Sequence, residues 1–145
     1  MNNVVLFSGG VDSTALLGYV LRKLDAGNTL ALNLSYGSNH NEREREAAED
    51  VARHYDVPLE FYDLPAEIFQ GAGSALMGES EVPDKEYRKE GPQPTVVPFR
   101  NGTFISIAAA IAHRFRGGSE VWIGAHSDDG ENWAYPDCRP EFLEL

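Results

Sequence analysis

Cysteine is almost absent from this sequence of 145 residues, since Cys138 is the only one. A single cysteine excludes an internal disulfide framework and an all-cysteine zinc site within the chain, and it favours a reducing compartment. Basic residues are also scarce: 12 lysines and arginines stand against 23 aspartates and glutamates, and the net charge is −11. That charge repels phosphate backbones and anionic lipid, so we expect no nucleic-acid partner.

Long apolar runs are missing as well. Every apolar stretch is far shorter than a membrane span, and the residues after Met1 show neither a basic region nor a cleavage signal. We therefore expect a cytoplasmic protein with no membrane partner. The length and the 42% hydrophobic content suit one globular domain, residues 1–145, with a sizeable core.

Short apolar runs alternate with helical patterns along most of the chain. The predicted elements are strands at residues 4–7, 29–36, 59–62 and 120–125 and helices at 12–26, 41–54 and 101–115, with a further helix beginning at Pro140. Strands that alternate with helices at this spacing are joined by βαβ crossovers. The pattern predicts an α/β fold, a three-layer doubly wound parallel sheet with helices on both faces.

The interval over residues 65–98 interrupts this alternation. It holds five of the eight prolines and a mixed cluster of charges at residues 79–90. A loop of this length inside a compact domain is usually either a functional lid or disordered, and both alternatives stay open.

The most informative motif joins the first strand to the first helix. Its residues are Ser8, Gly9, Gly10, Val11, Asp12, Ser13 and Thr14. The glycines let the backbone approach phosphate oxygens, the hydroxyls add donors, and the positive helix terminus favours an anion. Asp12 is suited to hold a Mg²⁺ ion that offsets the phosphate charge. The alternative is structural, with Gly9-Gly10 as a tight turn and Asp12 as an ordinary helix cap.

No lysine follows the glycines, so the motif differs from the Walker A loop and γ-phosphoryl transfer is not the natural interpretation. The string resembles instead the SGGxDS pyrophosphate loop of the N-type ATP pyrophosphatases, the PP-loop superfamily. The resemblance implies an adenine nucleotide alpha hydrolase-like fold, with ATP attacked at its α-phosphate by a substrate oxygen. It also implies nucleotide contacts at Phe7, Ser8, Gly9, Gly10, Val11, Asp12, Ser13, Thr14, Ala15, Leu16, Tyr36 and Gly124.

Three further segments narrow the resemblance. They read SYGSNH at residues 35–40, VPFRNG at 97–102 and YPDCRPEF at 135–142. In this order they are similar to the 7-cyano-7-deazaguanine synthase family of queuosine biosynthesis, over the whole chain. The resemblance implies an ATP-dependent carbon–nitrogen ligase that converts 7-carboxy-7-deazaguanine and ammonia into the nitrile, with a homodimer as the assembly.

Within this resemblance, the candidate catalytic residues are Asp12, Arg100, Asp128 and Asp137. Arg100 and Arg139 are suited to pair with a substrate carboxylate or phosphate, whereas Asp128 or Asp137 would accept hydrogen bonds from a guanine-like base. The alternative is that Arg100 and Asp137 merely cap helices.

The sequence departs from the family at two places. Ser38 stands where the family commonly has glutamine. The family also continues past the YPDCRPEF segment into four cysteines that bind zinc, and these ligands are absent from this chain. We therefore expect either a fragment of a longer protein or a naturally short one. Two other functions stay open: another PP-loop enzyme that adenylates or amidates a 7-deazapurine or a tRNA, and a catalytically silent, truncated nucleotide-binding module.

Overall fold

The computed structural model describes residues 2–24, 26–37, 41–69 and 99–125. Four strands and three α-helices lie within these residues. They are β1 (Asn3–Leu6), α1 (Val11–Lys23), β2 (Thr29–Ser35), α2 (Asn41–Tyr55), β3 (Leu59–Asp63), α3 (Arg100–Ala112) and β4 (Glu120–Trp122). One-turn 3-10 helices occupy Ala26–Asn28 and Ala66–Ile68.

The four strands form one parallel sheet in the order β3-β2-β1-β4. Val4 of β1 pairs with Leu30 of β2 on one side and with Val121 of β4 on the other. Every residue of β1 and β2 is buried. This burial follows from their nearly continuous apolar sequence, which is typical of parallel strands covered on both faces.

Helices cover both faces of the sheet, as predicted. The side chains of Val5 and Phe7 join a core cluster with α1 and α2, whereas Val4 and Leu6 join a second cluster with α3. This division follows from the two-residue period of a strand, which sends alternate side chains to opposite faces. Leu17 of α1 is fully buried in the first cluster. Such a leucine contributes about 1.5–3 kcal/mol of transfer free energy.

The direction of winding reverses beside β1. The chain passes from β1 to β2 and β3 on one side, and then returns to place β4 on the other side of β1. The crevice outside the carboxyl ends of the strands at such a reversal is where doubly wound sheets bind ligands. The glycine-rich loop follows the carboxyl end of β1 directly and therefore lies at this reversal.

Some predicted boundaries were wrong. The helix predicted over 12–26 ends at Lys23, because Leu24 has extended backbone angles, three residues before Gly27. The helix predicted over 101–115 ends at Ala112, and the next residues close 3-10-type bonds from Arg114 to Ile111 and from Phe115 to Ala112. The strand predicted over 120–125 pairs only as far as Trp122.

The end of α2 is a complete Schellman motif. The amide of Asp56 donates to the carbonyl of Arg53 at 3.3 Å, and that of Val57 donates to Ala52 at 3.0 Å. Asp56 takes a left-handed φ of 52°. This conformation, which glycine adopts more readily, redirects the chain into β3.

The edge strand β3 is braced by two arginines. A guanidinium nitrogen of Arg114 donates to Glu60 Oε2 at 2.8 Å, and the hydroxyl of Tyr62 donates to the same oxygen at 2.8 Å. The guanidinium carbon of Arg45, on α2, lies 4.3 Å from the centroid of the Phe61 ring. Burial raises the pKa of Glu60, but the bonds from Tyr62 and Arg114 outweigh it and hold that pKa below its ordinary value of 4.5.

The described residues fall into two compact units. The first holds the sheet and residues 2–24, 26–35, 41–63 and 104–124, and the second holds 36–37, 64–69, 99–103 and 125.

Most of the predicted loop at 65–98, and the helix predicted from Pro140, lie outside the described residues. The single-domain assignment stays a prediction. No helix in the part of the chain that the structure describes is long and apolar enough to cross a membrane.

Candidate functional site

The loop between β1 and α1 is held by its own hydroxyl groups. The amide of Ser8 donates to Ser13 Oγ at 3.2 Å, the two serine hydroxyl oxygens lie 3.1 Å apart, and the amide of Gly10 donates to Ser8 Oγ at 3.2 Å. Gly10 is the N-cap residue of α1 and supplies no side-chain cap. The first-turn amides of α1 thus receive no cap from that position, and such a helix terminus suits an anion.

Gly9 is required by packing as well as by the turn. Its φ is +87°, and a Cβ added to it would lie 2.6 Å from the amide nitrogen of Ala48 and 2.9 Å from the carbonyl oxygen of Glu44. Both atoms belong to the backbone of α2, which cannot move aside as a side chain can. The loop is therefore pressed against α2 at a distance that only glycine permits.

One residue of β2 and one residue that follows β4 lie beside the loop and the first turn of α1. Asn33 is buried in β2, and its side-chain amide donates to the carbonyl oxygen of Phe7 at 3.0 Å, immediately before the loop begins. A Cβ on Gly124 would lie 3.4 Å from the carbonyl oxygen of Asp12. The residues after β4 therefore pass beside the first turn of α1, at the reversal of the sheet.

A groove of about 730 Å³ begins at the loop and continues along the outer side of α1. It is lined by five of the predicted nucleotide contacts, namely Gly9, Gly10, Val11, Thr14 and Ala15. Its far end is lined by Arg22 and Lys23. These cations give the groove a basic end within a strongly acidic protein, so an anion bound there meets less repulsion than elsewhere.

A second polar cluster lies in the second unit. Tyr36, only 5% exposed, accepts a hydrogen bond on its hydroxyl from Nη1 of Arg100 at 3.0 Å. The Tyr36 ring packs edge-on against Phe69, with centroids 5.4 Å apart at 76°. The cluster therefore fixes the guanidinium of Arg100 against a buried aromatic pair at the start of α3.

The backbone that carries Arg100 is constrained as well. Phe99 has a left-handed φ of 55°, and its carbonyl oxygen accepts from the amide and the hydroxyl of Thr103 at 3.0 and 2.9 Å. Its ring covers Gly102, where an added Cβ would lie 2.5 Å from Cζ. A strained residue of this kind persists only where its surroundings over-determine it.

Most of the predicted site residues lie within the described part of the chain. The ten predicted contacts from Phe7 to Leu16 lie in the β1–α1 loop and the first turns of α1, and Gly124 lies beside them, whereas Tyr36 and Arg100 meet in the second unit. The side chains of Phe7 and Leu16 face the core, and the backbone of Phe7 is bonded on both sides, its amide to Leu32 at 2.8 Å and its carbonyl to Asn33 at 3.0 Å. Asp128, Asp137 and Arg139 lie outside the described residues. The binding roles of all these residues stay predictions.

Sequence reasoning missed Asn33, Phe69 and Phe99. Asn33 could have been noticed as a polar residue within an apolar strand pattern, because a buried polar side chain needs a hydrogen-bond partner. Gly102 inside a helical pattern was a signal for a close contact, which the Phe99 ring supplies. No local pattern marks Phe69 as the partner of Tyr36.

Candidate metal ligands do not cluster among the described residues. Within residues 2–24, 26–37, 41–69 and 99–125, no three histidine, cysteine, aspartate or glutamate side chains cluster as a metal site. Mg²⁺ commonly needs one or two carboxylates together with substrate phosphates. Asp12, exposed in the first turn of α1, meets that smaller requirement.

The chain is similar to known proteins over nearly all of its length. The family model described as Queuosine biosynthesis protein QueC matches residues 2–145. A 7-cyano-7-deazaguanine synthase of Desulfotalea psychrophila is 40% identical over 145 residues, covering 98% of this chain and 63% of that protein. The synthase of Methanoculleus marisnigri is 40% identical over 144 residues, covering 97% and 62%. The chain thus spans less than two thirds of the length of these relatives.

A solved structure shares the fold. The NH3-dependent NAD synthetase from Campylobacter jejuni, in complex with the nitrate ion, has a TM-score of 0.53 and 17% identity, over 88% of this chain and 48% of that one. At this identity the likeness concerns the fold alone. It agrees with the predicted adenine nucleotide alpha hydrolase-like architecture.

Proposed function

The chain belongs to the QueC family of queuosine biosynthesis proteins, and we propose that it acts as an ATP-dependent ligase that makes 7-cyano-7-deazaguanine from 7-carboxy-7-deazaguanine and ammonia. The observation that carries the proposal is the β1–α1 loop, whose glycine N-cap contributes no side-chain cap to the terminus of α1, an arrangement that suits an anion. Mg²⁺ as the companion ion, a cytoplasmic location and a homodimer belong to the same proposal.

The loop holds ATP in this proposal. Backbone amides at the start of α1 bind the pyrophosphate portion, and the hydroxyl pair of Ser8 and Ser13 keeps the loop in shape before ATP arrives. Asp12 holds Mg²⁺, which neutralises the phosphates. The positive end of the α1 dipole favours negative charge in the leaving pyrophosphate.

The reaction removes both oxygens of a carboxylate and replaces them with nitrogen. A carboxylate oxygen attacks the α-phosphorus, and pyrophosphate leaves. The nitrogen of ammonia then attacks the activated carbon, AMP leaves with that oxygen, a proton passes to water, and an amide remains. The amide oxygen then attacks the α-phosphorus of a second ATP, and pyrophosphate leaves. The amide oxygen departs as part of AMP, the two amide protons pass to water, and the nitrile remains.

Arg100 is suited to the carboxylate because it presents a planar, permanently charged donor fork. Its fixed position at the start of α3 supports that role. Asp128, Asp137 and Arg139 complete the proposal as contacts to the purine-like base and its substituent.

The nucleotide part of the proposal is tested by calorimetric titration of Mg-ATP. We expect Asp12→Ala to raise the dissociation constant about ten-fold or more, the effect of losing a charged contact worth roughly 1.5–3 kcal/mol. Gly10→Val should weaken binding similarly because its side chain obstructs the approach of phosphate to the backbone. Asp50→Ala, which removes a carboxylate 76% exposed on α2, is the matched control. Parental affinity in both loop variants contradicts the assignment.

The substrate part is tested with Arg100→Ala. We expect the dissociation constant of 7-carboxy-7-deazaguanine to rise about ten-fold to over a hundred-fold, with ATP binding nearly intact. Arg116→Ala, at an exposed arginine of the first unit, is the control. Equal loss of substrate and ATP binding would indicate a general loss of folding instead.

A further inference from the structure

Tyr36 was predicted as a nucleotide contact, and its described contacts include Arg100 and Phe69. The residue is 5% exposed and its ring packs edge-on against Phe69, so the side chain has little freedom. Its hydroxyl oxygen accepts from Arg100 Nη1 at 3.0 Å. A buried, fixed acceptor of this kind restricts the group that donates to it.

Arg100 gains direction from this contact. An arginine side chain carries about 2 kcal/mol of rotamer entropy, which a bound carboxylate must otherwise offset. One of its five N–H donors is taken by Tyr36. The guanidinium carbon also lies 5.9 Å from the centroid of the Tyr36 ring, within the range of a cation–π attraction.

The backbone on the other side of Arg100 is equally restricted. Phe99 is held left-handed with its carbonyl bound twice by Thr103, so the first turn of α3 has a fixed start. Both ends of the Arg100 side chain are therefore determined, the Cα by the helix start and the guanidinium by Tyr36. An arrangement fixed before the ligand arrives lowers the cost of binding.

We infer that Tyr36 is a positioning residue, whose hydroxyl aims the guanidinium of Arg100 at the carboxylate of the substrate. The inference rests on the proposed function, because it takes the carboxylated base as the ligand of Arg100. Tyr36 acts through Arg100 and leaves the affinity for ATP unchanged.

The test is calorimetric binding of 7-carboxy-7-deazaguanine to the full chain, compared between the parent and Tyr36→Phe. This variant keeps the ring and its packing on Phe69 and removes only the acceptor. We expect the dissociation constant of the carboxylated base to rise about two-fold to ten-fold and that of ATP to stay unchanged. The parent and the variant should bind 7-deazaguanine, which has hydrogen in place of the carboxylate, equally well. Tyr62→Phe removes a hydroxyl on β3 and is the matched control.

A double-mutant cycle separates positioning from independent contact. The Tyr36→Phe change should add nothing in an Arg100→Ala background, because its route to the ligand is gone. Additive losses overturn the inference, and so does a loss confined to ATP, which makes Tyr36 a nucleotide contact. If the parent binds the carboxylated base and Tyr36→Phe binds it with the same dissociation constant, the inference is refuted but the proposed function is not. A parent that binds ATP but not this base refutes the proposed function, and the inference with it.

Discussion

Gly9 and Gly10 are adjacent in the β1–α1 loop, but only Gly9 lies against the backbone of α2. The variant Gly9→Ala tests whether that contact requires glycine. Gly9 has a φ of +87°, and the new Cβ would lie 2.6 Å from the amide nitrogen of Ala48. A left-handed alanine costs roughly 1–2 kcal/mol. Forcing a methyl group against a fixed backbone costs about 1–3 kcal/mol more. We therefore expect the free energy of unfolding to fall by about 2–5 kcal/mol.

The assay is urea denaturation followed by far-UV circular dichroism. With a denaturant slope near 2 kcal/mol per molar, a typical value, the midpoint should fall by about 1–2.5 M with the slope unchanged. Gly10→Ala is the matched control, because Gly10 has an ordinary φ of −76° and its added Cβ would meet, among the described residues, the movable hydroxyl of Ser8 alone, at 3.3 Å. It should cost about 1 kcal/mol or less. Equal midpoints for the two variants would refute the reasoning that α2 requires Gly9.

Three further predictions concern stability. Asp56→Gly should raise the free energy of unfolding by about 0.5–1 kcal/mol in thermal or urea denaturation, since glycine adopts the left-handed φ of 52° without strain; a lower midpoint contradicts this. Asn33→Ala should lower that free energy by about 1–3 kcal/mol, because the carbonyl of Phe7 loses a buried donor, and an unchanged midpoint would show that water replaces the bond. The pKa of Glu60 is held below 4.5, chiefly by Tyr62 and Arg114 against the opposing effect of burial. The stabilisation of the folded state by ionised Glu60 is therefore complete above about pH 4.5, and it is lost as pH falls through the lower pKa of the folded state. In pH-dependent denaturation the deficit of Glu60→Gln should be constant near neutrality and shrink in acid; a deficit that grows in acid has the wrong sign.

The layers of the fold were predictable because their signals are local. Apolar runs of four to seven residues marked β1 and β2, and the glycines after β1 marked the turn into α1. The ends of elements were less predictable. The helix α1 ends before Gly27 because Leu24 already has extended backbone angles, and a 3-10 turn at Ala26–Asn28 then leads into β2.

The residues that support the candidate site were harder to predict, since their partners lie far away in sequence. Asn33 bonds a carbonyl 26 residues earlier, and Tyr36 accepts from an arginine 64 residues later. Gly9 suited a phosphate loop from sequence alone, but its contact with the backbone of α2 depends on how two helices pack on one sheet face. Such requirements arise from tertiary packing and leave no periodic trace in the chain.

We propose that this chain, which covers 63% of a 7-cyano-7-deazaguanine synthase to which it is similar, uses ATP to convert a carboxylate into a nitrile. Mass spectrometry of a reaction with Mg-ATP, ammonium and 7-carboxy-7-deazaguanine tests it most directly. We expect 7-cyano-7-deazaguanine and AMP as products, and no nitrile when ATP or ammonium is omitted. ATP binding without any loss of the carboxylated base would contradict the ligase and leave a nucleotide-binding module.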